Sequence, residues 1–165
     1  MADSGPTPEA GSDTEAAPIL SVRAQYMVDL SFENPAAPAS LAPRETPPQV
    51  SIGADVNVRR GSDSQFEVIL KLAARAQSGE ETIFAIELVY AGIFLVQNIP
   101  EPNLQPVLFI ECPRILFPFA RRIIADLTRD GGFPPLMIEP IDFVGLYQSQ
   151  LAAARQDEAQ PKYDA

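Results

Sequence analysis

Histidine is absent from the 165-residue chain. With it go the imidazole general base, every histidine-dependent triad and every histidine metal ligand. There is a single cysteine, Cys112, so neither a disulfide within the chain nor a cysteine zinc cluster can form. Tryptophan is also missing. Basic residues are scarce, 12 against 22 acidic, for a net charge of −10. Phosphate binding needs clustered Lys and Arg, so nucleic acid is an unsuitable partner, as is an anionic membrane surface. The balance suits a soluble protein, or one whose partner is basic. No apolar run approaches the length of about 18 residues needed to span a bilayer. The chain opens Met1-Ala2-Asp3-Ser4-Gly5-Pro6, not with the basic-then-apolar order of a signal segment, so a cytoplasmic location is expected. Nucleophile elbows, phosphate loops and dinucleotide fingerprints are missing. Glu80 and Glu81 are the one adjacent carboxylate pair within the expected folded domain, but neighbours in a strand point to opposite faces. No cofactor and no metal are expected, and the chain does not read as an enzyme.

What is present is a substantial core. Hydrophobic residues make up 46% of the chain, and a domain of this size buries roughly 70% of its unfolded-state surface. Residues 1–18 carry Asp3, Glu9, Asp13 and Glu15, three prolines and no aromatic residue. Such a segment cannot offset its chain entropy by burial and is expected to be a disordered acidic tail. The stretch 155–165 reads as a flexible C-terminal tail. The folded domain is expected over 19–154.

Four stretches alternate with period two, the pattern of strands in a sheet with one wet face. The first sets Ala24, Tyr26, Val28, Leu30 and Phe32 against Arg23, Gln25, Met27, Asp29, Ser31 and Glu33. The second sets Val50, Ile52, Ala54, Val56 and Val58 against Gln49, Ser51, Asp55 and Asn57. The third sets Phe66, Val68, Leu70, Leu72 and Ala74 against Glu67, Lys71 and Arg75. The fourth, Thr82 to Val96, is apolar on both faces and broken mainly by Glu87. Pro35, Pro38, Pro43, Pro47 and Pro48 lie between the first two and predict an extended, polyproline-like connection rather than a hairpin. The later links, Arg60-Gly61-Ser62-Asp63 and Ser78-Gly79-Glu80, are turn-like and predict antiparallel neighbours.

The period then changes. After Pro100, Pro102 and Pro106 the chain reads as helix to about Asp130, with Leu116, Phe119, Ile123 and Leu127 as its stripe. Ile115, Ala120 and Ile124 flank that stripe. Pro113 and Pro118 imply a start or a kink, and Gly131-Gly132-Phe133-Pro134-Pro135 stops the helix. Asp142 is a good N-cap for a second helix, on which Phe143, Leu146, Tyr147 and Leu151 share a face. The expected class is α+β, a four-stranded antiparallel sheet with two C-terminal helices packed on one face. The long helix is apolar over more than one small sheet can cover, which points to a second protomer. A thick monomeric core is the simpler alternative.

Three blocks resemble the SecB family of bacterial export chaperones. They are Tyr26-Met27-Val28-Asp29-Leu30-Ser31-Phe32-Glu33-Asn34-Pro35, then Gly79-Glu80-Glu81-Thr82 leading to Gly92-Ile93-Phe94, then Cys112-Pro113-Arg114-Ile115-Leu116-Phe117-Pro118-Phe119-Ala120-Arg121. Phe133-Pro134 with Leu136 and Pro140 fits as well. The likeness covers about residues 20–151. It implies a dimer-of-dimers tetramer. It also implies an ATP-independent holdase that binds unfolded secretory precursors bearing signal peptides and delivers them to the SecA ATPase. On the same footing, SecA docking maps to Asp29, Glu33, Ala85 and Glu87. Client binding maps to Val50, Ile52 and Tyr147. Read from the residues alone, Asp29, Glu33 and Glu87 are ordinary solvated charges and the second set are core. Two departures stand out. Ala85 replaces a larger apolar residue, and Thr46 stands where some members carry an aromatic, which makes for a less aromatic groove. The rival reading is a SecB-like adaptor or antitoxin-associated chaperone that serves one dedicated partner.

Overall fold

The computed structural model describes residues 15–159. The expected tails fall largely outside that span; of them, residues 15–18 and 155–159 are described, and all are exposed. Four long strands make one antiparallel sheet: β1 (Ile19–Glu33), β2 (Gln49–Arg60), β3 (Gln65–Ser78) and β4 (Glu81–Gln97). Their spatial order is β1-β4-β3-β2. The two turn-like links do join antiparallel neighbours, β2 with β3 and β3 with β4. The proline-rich connection has a different task. It carries the chain from one edge of the sheet to the other, past two intervening strands. At about 4.8 Å per strand that is roughly 14 Å, too far for a hairpin turn.

The connection is only partly the extended segment that its prolines predict. Pro35 to Pro38 form turns that run into a 3-10 turn over Ala39–Leu41. The buried Ser40 hydroxyl donates to Asn34 Oδ1 at 2.6 Å, which closes the loop on itself. Arg44 then ties the second half to Glu81 at the start of β4, at 3.2 Å.

Strand β1 departs from strict alternation. Its register against β4 slips between Val22 and Ala24 and again between Met27 and Asp29. Each slip is a bulge, and each exchanges the two faces. Ala24 and Tyr26 therefore pair with Ile93 and Ala91 on the open face, whereas Leu30 and Phe32 pair with Leu88 and Ile86 on the helix face. The single apolar row expected from Ala24 to Phe32 is corrected to two rows on opposite faces. No bulge separates Asp29 from Glu33, so those two stay together on the open face.

The helix face of the sheet carries Val56, Val68, Leu70, Leu72, Ala74, Ile86, Leu88 and Phe94, all buried. Against it lies a helical run that starts earlier than expected. It consists of α1 (Glu101–Pro106), a π-helical segment (Val107–Glu111) and α2 (Cys112–Asp130). Proline lacks the amide that bonds to residue i−4 and its ring crowds that carbonyl. The wider π turn sits immediately before the Cys112-Pro113 entry, where this crowding would fall. The inward stripe of α2 is Cys112, Leu116, Phe117, Ala120, Ile124 and Thr128. Phe119, placed in the stripe by its spacing, instead stands 49% exposed, and Ile115, Ile123 and Leu127 are half-buried. Leu116 reaches the sheet because position 92 has no side chain. A Cβ on Gly92 would come within 2.9 Å of Leu116 Cδ2.

Beyond α2 the chain turns at Gly132 (φ +91°), where the Phe133 amide reaches back to the Thr128 carbonyl at 3.0 Å. This is the 6→1 bond of a helix C-terminal cap. Phe133 then packs on Phe84 and Phe32, with ring centroids 5.1 and 6.4 Å away. Residues 134–142 run without regular structure to α3 (Phe143–Ala159). Asp142 acts as expected at that start, its Oδ1 accepting from the Gly145 amide at 3.0 Å. The helix continues five residues past the expected domain end at 154.

Candidate binding surfaces

The open face of the sheet is built from rows that run across all four strands. One row is Gly53, Ala73, Glu87 and Ser31; the next two are Ser51, Arg75, Ala85, Glu33 and Asp55, Lys71, Val89, Asp29. Glu33 thus lies directly opposite Ala85. Glu87 lies opposite Ser31, midway between Asp29 and Glu33. Diagonal neighbours in a sheet sit about 7–8 Å apart, so Glu87 closes a triangle with the other two carboxylates. All three are exposed, and among the described residues none has an ion-pair partner. Lys71 and Arg75 flank Glu87 from the β3 side and are likewise unpaired. The spacing of Asp29 and Glu33 was legible in the sequence; the addition of Glu87 to the same face follows from the β1–β4 pairing.

Farther along this face the charges are internally satisfied. Tyr26 donates to Glu67 at 2.6 Å, and Arg59 stands 3.8 Å from the same carboxylate. Burial first, and then the Glu67 hydrogen bond and charge, push the Tyr26 phenol up to about 12. The free, basic-seeking part of the face is therefore the Asp29–Glu33–Glu87 end.

On the helix side, at the β2 edge, lies an apolar groove of about 430 Å³. Val50, Ile52 and Ala54 form one wall, and Leu136, Met137, Ile138 and Ile141 form the other. Val50, Ile52 and Met137 are 44%, 41% and 58% exposed. Val50 and Ile52 are therefore not core, although the helix-facing side of β2 is core from Val56 onward. Sequence reasoning missed the second wall. Leu136 to Ile141 have no period, being neither helix nor strand, and Pro134-Pro135 followed by Pro140 was the available sign of an extended run. Tyr147 is not brought into this lining. It stacks half-buried on Phe109, with centroids 5.5 Å apart and an interplanar angle of 21°.

Among the described residues no group of side chains resembles a reaction centre. Cys112 is fully buried, and burial, helped by Glu111, pushes its thiol up to about 12. Among the described residues no three acidic or thiol side chains converge as metal ligands, and no helix is long and apolar enough to cross a membrane. A carboxylate face on one side of a sheet and a solvent-open apolar groove on the other define a binding protein.

Comparison with known proteins gives the same class and narrows it. The family model described as preprotein translocase subunit SecB matches residues 13–154. A protein-export protein SecB of Rhodopseudomonas palustris (strain HaA2) is 52% identical over 157 residues, covering 95% of this chain and 96% of that one. The SecB of Xanthobacter autotrophicus is 55% identical over 145 residues, covering 88% and 93%. The fold is shared with a SecB-like chaperone of Mycobacterium tuberculosis, solved in complex with a ChAD peptide from the HigA1 antitoxin. The TM-score is 0.61 at 18% identity, covering 74% of this chain and 90% of that one. The chain belongs to the SecB family, non-enzymatic chaperones of protein export.

Proposed function

We propose that this chaperone holds unfolded precursors in the Val50–Ile52 groove and passes them to the SecA ATPase at the Asp29–Glu33–Glu87 face. It works in the cytoplasm as a dimer-of-dimers tetramer. The observation that carries this reading is the separation of the two surfaces. The groove opens at the β2 edge on the helix side, and the carboxylates cluster on β1 and β4 on the other side, so client and motor can be engaged together. Ala85, opposite Glu33, belongs to the docking patch. Tyr147, stacked on Phe109 outside the groove lining, is the aromatic contact for a client segment that extends beyond the groove.

The energetics favour a long, unfolded client. Ordering each client residue costs about 1–2 kcal/mol, and burying one large apolar side chain returns about 1.5–3 kcal/mol. A single short segment roughly breaks even. Several grooves on one oligomer, filled by one chain, supply the surplus. Exposed apolar side chains elsewhere support self-association: Ile19, Leu20, Val22, Met27 and Val28 on β1, and Phe119 on α2. Strand β1 is also an edge, whose free amides and carbonyls invite a partner strand.

Calorimetry with one precursor, presented unfolded and folded, tests the holdase. Binding to the unfolded form alone is expected; binding to neither would favour a single-partner adaptor. The double variant Asp29→Lys/Glu33→Lys tests the docking. SecA affinity should fall by about tenfold or more, as for close charge pairs at an interface, while client affinity holds. An equal loss of both would merge the two surfaces into one.

A further inference from the structure

The open face carries a feature that the carboxylates alone do not explain. Beside Glu87 lies a depression of about 460 Å³, spanning β2, β3 and β4 and lined by Gly53, Asp55, Lys71, Ala73, Glu87 and Val89. Its floor exists because two adjacent positions of one cross-strand row, Gly53 and Ala73, carry almost no side chain. Packing does not impose this. A Cβ built on Gly53 would meet only the Ala73 Cβ, at 3.8 Å, an ordinary contact. Gly53 also has no positive φ that would call for glycine. Glycine in a strand interior weakens the strand and marks places where another chain approaches closely.

We propose that this hollow seats one branched aliphatic side chain of the docking partner, carried on a basic segment whose charges meet the surrounding carboxylates. The inference rests on the docking reading above and deepens it. Charge complementarity selects the occupant. Asp55 and Glu87 line the hollow with Lys71 between them, and Asp29 and Glu33 extend the acidic surface on β1. Arg75 is the other basic side chain of these rows, so four carboxylates stand against two cations; Asp29, Glu33 and Glu87 have no ion pair among the described residues. Asp55 is held in place at the rim by Gln150 Nε2 (2.6 Å) and Asn57 Nδ2 (2.9 Å). An aliphatic floor inside an acidic rim recognises an apolar side chain flanked by lysine or arginine. Ala85, one row away, offers only a methyl, and the other depression on this face lies at the Arg59–Glu67 end, where the carboxylate is already paired, so the hollow is the place beside the unpaired carboxylates where such a side chain can be buried.

Purified full-length protein is titrated with SecA in three forms: wild type, Ala73→Leu and Asp29→Lys/Glu33→Lys. Ala73 is exposed and outside the client groove, so Ala73→Leu fills the hollow from within. Denying burial to one large aliphatic side chain should weaken SecA binding by about tenfold or more, with client binding unchanged. Gly53→Val fills the same floor from the neighbouring strand and should act in the same direction, which covers the case where Ala73→Leu perturbs folding. If both fillings leave SecA affinity intact while the charge reversal abolishes it, the hollow is not a contact, and the inference falls while the docking reading stands. If neither filling nor charge reversal matters, the docking reading falls with it.

Discussion

Thr128 is buried on α2, and its hydroxyl serves two structures at once. It donates toward the carbonyls of Ile124 and Ala125, each at 3.0 Å, and accepts from the Leu136 amide at 2.8 Å. The second bond anchors the first residue of the irregular groove wall to the rigid helix. Replacing Thr128 with valine keeps the shape and leaves a half-buried amide without a partner. Such a loss costs about 1–3 kcal/mol. Thr128→Val should lower the urea midpoint without changing the slope, and it should weaken client binding, because Leu136 to Ile138 lose their fixed position. Thr128→Ser retains the oxygen and should recover most of both. An unchanged midpoint in the valine variant would mean that the wall is held by its apolar contacts alone.

At the scale of elements, β2 and β3 were legible because each has one wet and one dry side. Period two marks β2 and β3 from Val50 to Ala74, and it marks them correctly. In β1 the same logic fails at Val22/Ala24 and Met27/Asp29, since a bulge exchanges faces without leaving a sign in an alternating sequence. In α2 the apolar surface covers well more than a third of the circumference, so spacing alone could not say which apolar stripe meets the sheet. The wall from Leu136 to Ile141 was illegible for a third reason. Its conformation is set by tertiary partners such as Thr128 and not by local preference. Helix α3 shows how thin such tertiary support can be. Phe143 is buried against Phe117, with ring centroids 6.1 Å apart, but every described residue from Leu151 to Ala159 is exposed. Its middle is held at the β2 edge by Gln150, which donates to Asp55 Oδ1 and to the Val56 carbonyl. A net hydrogen bond of this kind is worth about 1 kcal/mol, or roughly a fivefold change in local opening. In Gln150→Ala, hydrogen exchange should quicken by about that factor over the second half of α3, with the sheet amides unaffected. Unchanged exchange there would place the hold on Tyr147 and Phe109 instead.

At the scale of the molecule, a chain that buries a complete core still leaves large apolar side chains on two separate surfaces. Strand β1 presents Met27 and Val28, 51% and 56% exposed, along an edge that pairs with no further strand among the described residues, and α2 presents Phe119 with Ile115 and Ile123 beside it. In the proposed dimer of dimers, one interface would use the first surface and a second would use the other, as closed symmetry requires. The α2 surface is the one to break. Phe119 is half-exposed and makes no part of the inward stripe, so Phe119→Arg should leave the protomer folded. Sedimentation should then show a species of half the mass, and the affinity for a long unfolded precursor should fall by about tenfold or more as the grooves on one particle are halved. Affinity for a short peptide that fills a single groove should not change. The pair of titrations separates the two causes. A loss for the peptide as well would mean that Phe119 touches the client itself, and a tetramer that survives the substitution would remove α2 from the interface.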